Sequence, residues 1–166
     1  GATWSTGFFD SFQSRRGYDL RTYLREFSGH READGDEMVA CLKSDYRKTM
    51  SELLLEQFTI PWTQWSHRYG SLTRNQAHGS PSNLLDLYAA SGIPETETFG
   101  ATPFKIPGIR RQADNVRPDT PQPLINRMAS SAAHVTGKQL VASETCTWSR
   151  NHFRTALSQM KPEIDQ

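Results

Sequence analysis

The second half of this 166-residue sequence switches repeatedly between two hydrophobic periods, and that alternation limits the fold more than any other feature. Three short segments have strand character: residues 71–78, 93–99 and 139–145, the last carrying Leu140-Val141-Ala142, which suits a strand buried on both faces. Between them lie helical stretches. Residues 81–91 present Leu84, Leu85, Leu87 and Tyr88, with Ser80 before Pro81 as the start and Gly92 as the stop. Residues 123–136 form the next helix, ended by Gly137. Strand, helix, strand, helix, strand, helix implies βα units and parallel pairing. A parallel sheet of three strands leaves two unpaired edges, which natural proteins cover or close. A complete (β/α)8 barrel takes about 250 residues. The expected fold is therefore α/β, a portion of a (β/α)8 TIM-type barrel, in preference to a small open α/β domain.

The first half is helical in pattern, so the chain divides into helices over residues 1–70 and βα units over residues 71–166, within one partial domain. Ser5 is placed to cap a helix bearing Phe8, Phe9 and Phe12, ended by Gly17 after Arg15 and Arg16. Leu20, Tyr23, Leu24 and Phe27 mark a second helix over 19–27, and the Gly- and charge-rich residues 28–36 read as a loop. Residues 37–69 keep close to a helical period, with Pro61 expected to kink or restart the helix. Trp62, Trp65 and Tyr69 are expected to pack this helix onto the sheet. The Pro-rich residues 100–123 are a candidate lid.

Composition closes off several classes of function. Nineteen basic and eighteen acidic residues leave a net charge of +1, which gives no ground for a nucleic-acid partner. No apolar run approaches the roughly 18 residues of a membrane span. Cys41 and Cys146 make neither a disulfide framework nor a zinc site. No Gly-rich phosphate loop, His-Glu-x-x-His metal motif or Gly-x-Ser-x-Gly elbow occurs.

Chemistry in parallel α/β folds gathers at the C-terminal ends of the strands. All three strand ends here are polar. The first carries Asn75, Gln76 and His78, the second Glu95 and Glu97, and the third Glu144, with Trp148 just beyond. Glu95 and Glu97 are two residues apart and so share one face of a strand. Carboxylates from different strand ends, with amide and imidazole donors and an aromatic ring, suit the cleavage of a glycosidic bond. One carboxyl group protonates the leaving oxygen, and another activates water or attacks the sugar. The Glu95 and Glu97 pair also suits Ca²⁺, a hard cation with oxygen ligands. His67 and His134 fall on helices away from this cluster. Arg15-Arg16 is either an anion site or a basic helix end in the favourable sense of the dipole.

The sequence resembles the catalytic barrel of the α-L-rhamnosidases of glycoside hydrolase family 106. The likeness runs in order through Trp4, Phe8-Phe9-Asp10-Ser11-Phe12, Arg15-Arg16-Gly17-Tyr18-Asp19-Leu20, Asp45-Tyr46-Arg47 and residues 51–58. It continues through Gln76-Ala77-His78-Gly79, Pro94-Glu95-Thr96-Glu97, residues 130–134 and Ser143-Glu144. The resemblance implies an inverting glycosidase acting on terminal α-L-rhamnosyl or related deoxysugar linkages, with a Ca²⁺ near the sugar. It makes the three strands about the fifth to seventh of the barrel and Glu144 the general base. It matches Glu95 or Glu97 to the family's calcium- or sugar-binding carboxylates; with the strand-end reading, Asn75, Gln76, His78, Glu95 and Trp148 are the candidate carbohydrate contacts and Glu97 the candidate metal ligand. The family's acid lies in an Asp-Ser-x-Glu type segment before the position matching Trp4, and that segment is absent from these residues. The 166-residue polypeptide alone is accordingly expected to be inactive, and export is expected for the parent enzyme. Relatives often read Gln-Pro-Tyr-Gly and Pro-Glu-Gly-Glu where this sequence has Ala77, His78 and Thr96, which leaves the sugar open. The alternative is a carbohydrate-binding module stacking sugars on Trp4, Trp62, Trp65 and Trp148.

Overall fold

A computed structural model describes residues 5–29, 36–99, 107, 123–147 and 157–164. The chain separates into two compact units, residues 1–61 with 81–83, and residues 62–80 with 84–166.

In the first unit α1 (Phe8–Arg16) starts at Gly7, whose φ of 81° lets the chain turn into the helix. The Phe8 amide donates to the Ser5 carbonyl at 3.1 Å, so Ser5 closes the preceding turn through its backbone and the expected side-chain cap is not made. Gly17, at φ 83°, ends the helix by donating to the Gln13 carbonyl. The second expected helix is divided. Asp19 accepts from the Arg21 amide and starts a 3₁₀ turn over Leu20–Tyr23, which runs into α2 (Leu24–Gly29). Asp36 caps α3 (Glu37–Leu54) by accepting from the Met38 and Val39 amides.

Pro61 acts one turn upstream of itself. Without an N–H it cannot satisfy the carbonyl four residues back, and the helix widens into a π-helical turn over Leu55–Thr59, where the Ile60 amide reaches the Leu55 carbonyl. The helix resumes as α4 (Ile60–Arg68). Phe8, Phe12, Leu20 and Leu42 are buried together, with Phe9, Tyr18, Phe27, Tyr46, Met50 and Leu53 packed around them. Phe12 meets Tyr18 edge-on at 5.1 Å between ring centroids, and Phe8 meets Tyr46 at 5.3 Å.

Arg15 and Arg16 serve this unit internally. Arg15 pairs with Glu52 and Glu56, and Arg16 pairs with Glu52 while its Nε donates to Thr49 Oγ1 at 2.9 Å. Hydrogen bonding to Glu56 raises the Arg15 pKa, and that from Arg16 lowers the Glu52 pKa. The basic helix end is tied to carboxylates of α3 and of the π-helical turn that follows it, which leaves no support for an anion site there.

The second unit contains the end of α4, β1 (Arg74–Asn75), α5 (Leu84–Ala90), β2 (Ile93–Phe99), α6 (Pro123–Val135), β3 (Ala142–Thr147) and α7 (Leu157–Ile164). The strands form a parallel sheet in the order β1-β2-β3. This establishes an α/β architecture with a small parallel sheet. Thr73 stitches its first corner. Its hydroxyl shares a hydrogen bond with Thr63 and accepts from the Gly92 amide, and its carbonyl accepts from the Ile93 amide at 2.8 Å. Helices α5 and α6 pack on one face of β2, where Thr96 donates to Asn126 Oδ1 at 2.8 Å and Leu87, Tyr88, Ala129, Ala132 and Ala133 are buried.

Two packing expectations are corrected. Leu140 and Val141 precede β3 and are exposed, at 60% and 42%. The strand buried on both faces is β2, whose Glu95, Thr96, Glu97 and Thr98 are all under 9% exposed. It is the middle strand, so neighbours on both edges and helices on one face exclude water whatever its side chains are. Likewise Thr63 and Ser66 are the buried residues of α4, whereas Trp65 and Tyr69 are exposed at 57% and 71%. Close approach of α4 to Thr73 needs a small side chain such as Thr63, and of the three rings Trp65 and Tyr69 face outward while Trp62 is half-buried.

Candidate functional site

The face of the sheet opposite the helices is built by parity. Thr96 points to α6, so its neighbours Glu95 and Glu97 turn to the other face. Arg74 is the register partner of Ile93, two residues before Glu95 and so of the same parity, and its Nε donates to Glu95 Oε2 at 2.9 Å. Glu97 is the direct register partner of Glu144 on β3, so both carboxylates stand on this face. Gln76, immediately after β1, sends its Nε2 across β2 to donate to Glu144 Oε2 at 2.9 Å. Side chains from all three strands therefore meet: Arg74 and Gln76 from the β1 segment, Glu95 and Glu97 from β2, and Glu144 from β3.

The members differ in burial. Glu95 and Glu97 are buried at 7% and 8%, a large desolvation cost that buried carboxylates offset through partners such as the Arg74 guanidinium. Glu144 is exposed. It sits on the strand at one side of the sheet, next to no third neighbour among the described strands. Asn75 lies on the strand between Arg74 and Gln76 and is half-buried, with the opposite parity. His78 is half-buried in the turn that follows, closed by donation from the Ser80 amide to the Ala77 carbonyl and permitted by Gly79 at φ 81°. Behind the sheet Tyr88 is fully buried, and burial raises its pKa. Trp148 falls outside the described residues.

Three features escape the sequence patterns. The Arg74–Glu95 pair joins residues on different strands, and nothing but the register reveals it. Gln76 reaches a carboxylate rather than an open cleft. The β2–β3 register slips by one residue between the Glu97–Glu144 and Phe99–Thr147 pairs, a bulge on β3 directly after Glu144. Bulges are frequent beside active sites because they re-aim a side chain.

A calcium site gains no support from this arrangement. Ca²⁺ takes roughly six to eight oxygen ligands. Among the described residues no three of His, Cys, Asp and Glu gather around a common point, and Glu95 is already paired with Arg74.

Comparison with known proteins decides the family. The profile of the alpha-L-rhamnosidase family, glycoside hydrolase family 106, matches residues 1–166. The chain belongs to glycoside hydrolase family 106. Relatives of this family member are much longer. A protein of Formosa agariphila named "Putative beta-glucuronidase" is 25% identical over 147 residues, which is 88% of this chain and 11% of that protein. The rhamnosidase structure from Novosphingobium sp. PP1Y superposes with a TM-score of 0.65 at 22% identity, covering 99% of this chain and 15% of its own. That likeness establishes a shared fold. Among the described residues no helix is long and apolar enough to cross a membrane.

Proposed function

We propose that this chain is a sector of the (β/α)8 barrel of an inverting α-L-rhamnosidase-like glycosidase, with Glu144 as the general base. The observation that carries the reading is the meeting of Gln76, Glu97 and Glu144 from three parallel strands on the face of the sheet turned away from α6. In an inverting reaction Glu144 takes a proton from water as that water attacks the anomeric carbon. A second carboxyl group on another strand of the complete barrel, roughly 6.5 to 9.5 Å away, protonates the leaving oxygen. Asn75, His78, Glu95 and Trp148 are candidates for contacts to sugar hydroxyls and the ring face, whereas Gln76, also a candidate from the sequence, turns its amide to Glu144. Glu97 is the carboxylate that the family resemblance offers as a ligand for a Ca²⁺ near the sugar.

The test uses the complete gene product and an aryl α-L-rhamnoside. Glu144→Gln is expected to lower kcat by about 10²- to 10⁴-fold, the usual contribution of general base catalysis. The loss should persist with a dinitrophenyl leaving group, because the base acts on water and not on the departing oxygen. NMR of the first-formed sugar should show the inverted anomer. A retained anomer, or full activity in Glu144→Gln, overturns the proposal.

One observation favours a second reading, saccharide binding without cleavage. Trp65 and Tyr69 form an exposed aromatic pair with ring centroids 5.1 Å apart, and such rings can stack on sugars. Binding to an immobilised polysaccharide that is lost in Trp65→Ala and indifferent to Glu144→Gln would establish it.

A further inference from the structure

We infer that Gln76 is a positioning residue: its side-chain amide clamps the Glu144 carboxylate in one orientation, and it does so in place of binding the sugar. The inference rests on Glu144 being the base. Glu144 is exposed, and it lies just before a bulge, where the ladder that would steady β3 is interrupted. An exposed glutamate keeps about 1.5 to 2 kcal/mol of rotamer entropy, so it spends most of its time away from any single reactive geometry. Catalysis by a base needs the opposite, a carboxylate already aimed at the water.

Gln76 has the scaffold to supply that aim. On its N-terminal side Asn75 is held in the ladder against Pro94. On its C-terminal side Ala77 is 1% exposed, and its carbonyl accepts from the Ser80 amide to close the turn. The side chain therefore projects from backbone fixed at both ends. It spans the middle strand and donates from Nε2 to Glu144 Oε2 at 2.9 Å. A bond from a neutral amide to a carboxylate is charge-assisted and directional. It engages one oxygen of Glu144 and leaves the direction of the other determined. The bond also joins the β1 segment to β3 over the acidic middle of the sheet, so the two strands keep a fixed separation.

A clamp and a substrate contact separate kinetically. In the complete gene product acting on an aryl α-L-rhamnoside, Gln76→Met keeps the length and removes the donor. It is expected to reduce kcat about 10- to 100-fold with KM within twofold. In Gln76→Met/Glu144→Gln the loss should equal that of Glu144→Gln alone, because a clamp has nothing to hold once the base is gone. A rise in KM at unchanged kcat, or additive losses in the double variant, overturns the clamp. A readout independent of turnover comes from ¹⁵N NMR. The Gln76 side-chain amide resonance should follow pH with a single inflection that disappears in Glu144→Gln. An amide resonance that ignores pH overturns the clamp even if Glu144 is the base. A resonance that titrates with Glu144 while Glu144→Gln remains fully active supports the clamp and removes the base assignment instead.

Discussion

The first unit is centred on apolar side chains, whereas the second sets a buried polar strand beside its apolar helix packing. In the first, Phe8, Phe12, Leu20 and Leu42 fill the interior and the charges lie outside, paired between α1 and α3. In the second, the most enclosed strand reads Glu95-Thr96-Glu97-Thr98, and the apolar Leu140 and Val141 are in solvent. Burial of the first kind lowers free energy by removing apolar surface from water, at about 25 cal/mol per Å². Burial of the second kind raises it unless every polar group finds a partner. In the centre of the sheet that cost is met by partners such as the Arg74 guanidinium on Glu95, so the two units are held by different means, apolar packing in one and paired polar groups in the other.

The largest expected stability effect falls on the first unit. Phe12 is 0% exposed, edge-on to Tyr18 and in contact with Phe8. Phe12→Ala should cost about 3 to 5 kcal/mol, from lost transfer energy and a residual cavity. Urea unfolding followed by fluorescence checks it. A cost below about 1 kcal/mol would mean that the aromatic cluster is not the stabilising core, and the contrast would fail.

Gly92→Ala tests the sheet. A Cβ there would stand 3.0 Å from the Thr73 carbonyl oxygen, 3.1 Å from its nitrogen and 3.2 Å from Leu72 Cβ. Two of these are backbone atoms with no freedom to yield, so the start of β2 must move away from the segment leading into β1. Overpacking of this kind costs about 1 to 3 kcal/mol. Because Gln76 follows β1, catalysis should fall together with stability, whereas Phe12→Ala should leave the activity of the folded fraction intact. Thermal melts and kcat measured on the two variants side by side separate these outcomes.

Much of this architecture is legible in the residues, and the failures have a common cause. The span of β2 is visible because Pro94 and the Glu-Thr alternation lie between Gly92 and Gly100. Gly17, Gly70 and Gly137 each mark a helix end through a positive φ, a constraint local to the residue. What pattern could not deliver was set by neighbours distant in sequence. Leu140 and Val141 have strand propensity, yet burial depends on which strand is central, and the register decides that. Trp65 looked like a packing residue, but Thr73 admits only Thr63 at that contact. Within the candidate site the polar residue types were legible at 76, 95, 97 and 144. The bridge from Gln76 to Glu144 spans 68 residues and needs coordinates.

Two smaller effects use pH to sharpen the comparison. The Tyr18 hydroxyl donates to Asp45 Oδ2 at 3.0 Å, and burial together with that bond pushes its pKa up to about 12. A folded pKa above the unfolded value of about 10 means stability fully present below pH 10 and lost as pH rises through about 12. Tyr18→Phe should flatten that alkaline decline in unfolding free energy. An unchanged slope would show that the hydroxyl is solvated as freely in the folded state as in the unfolded one.

The smallest effect is the acid counterpart at Glu52. Hydrogen bonding from Arg16 holds this carboxylate below its ordinary value, so its contribution is present above about pH 4.3 and disappears as pH falls through the lower folded value. Partly exposed ion pairs are worth about 1 kcal/mol or less, and the Glu52 side chain retains 29% of its exposure. Glu52→Gln should therefore shift the neutral-pH stability by no more than about 1 kcal/mol and reduce the decline below pH 4. Arg16 would keep its bond to Thr49 Oγ1 and would not be stranded as a bare buried charge. A loss of several kcal/mol would show that the clamp between α1 and α3 carries the first unit in place of its aromatic core, and would reverse the division drawn between apolar burial and paired charge.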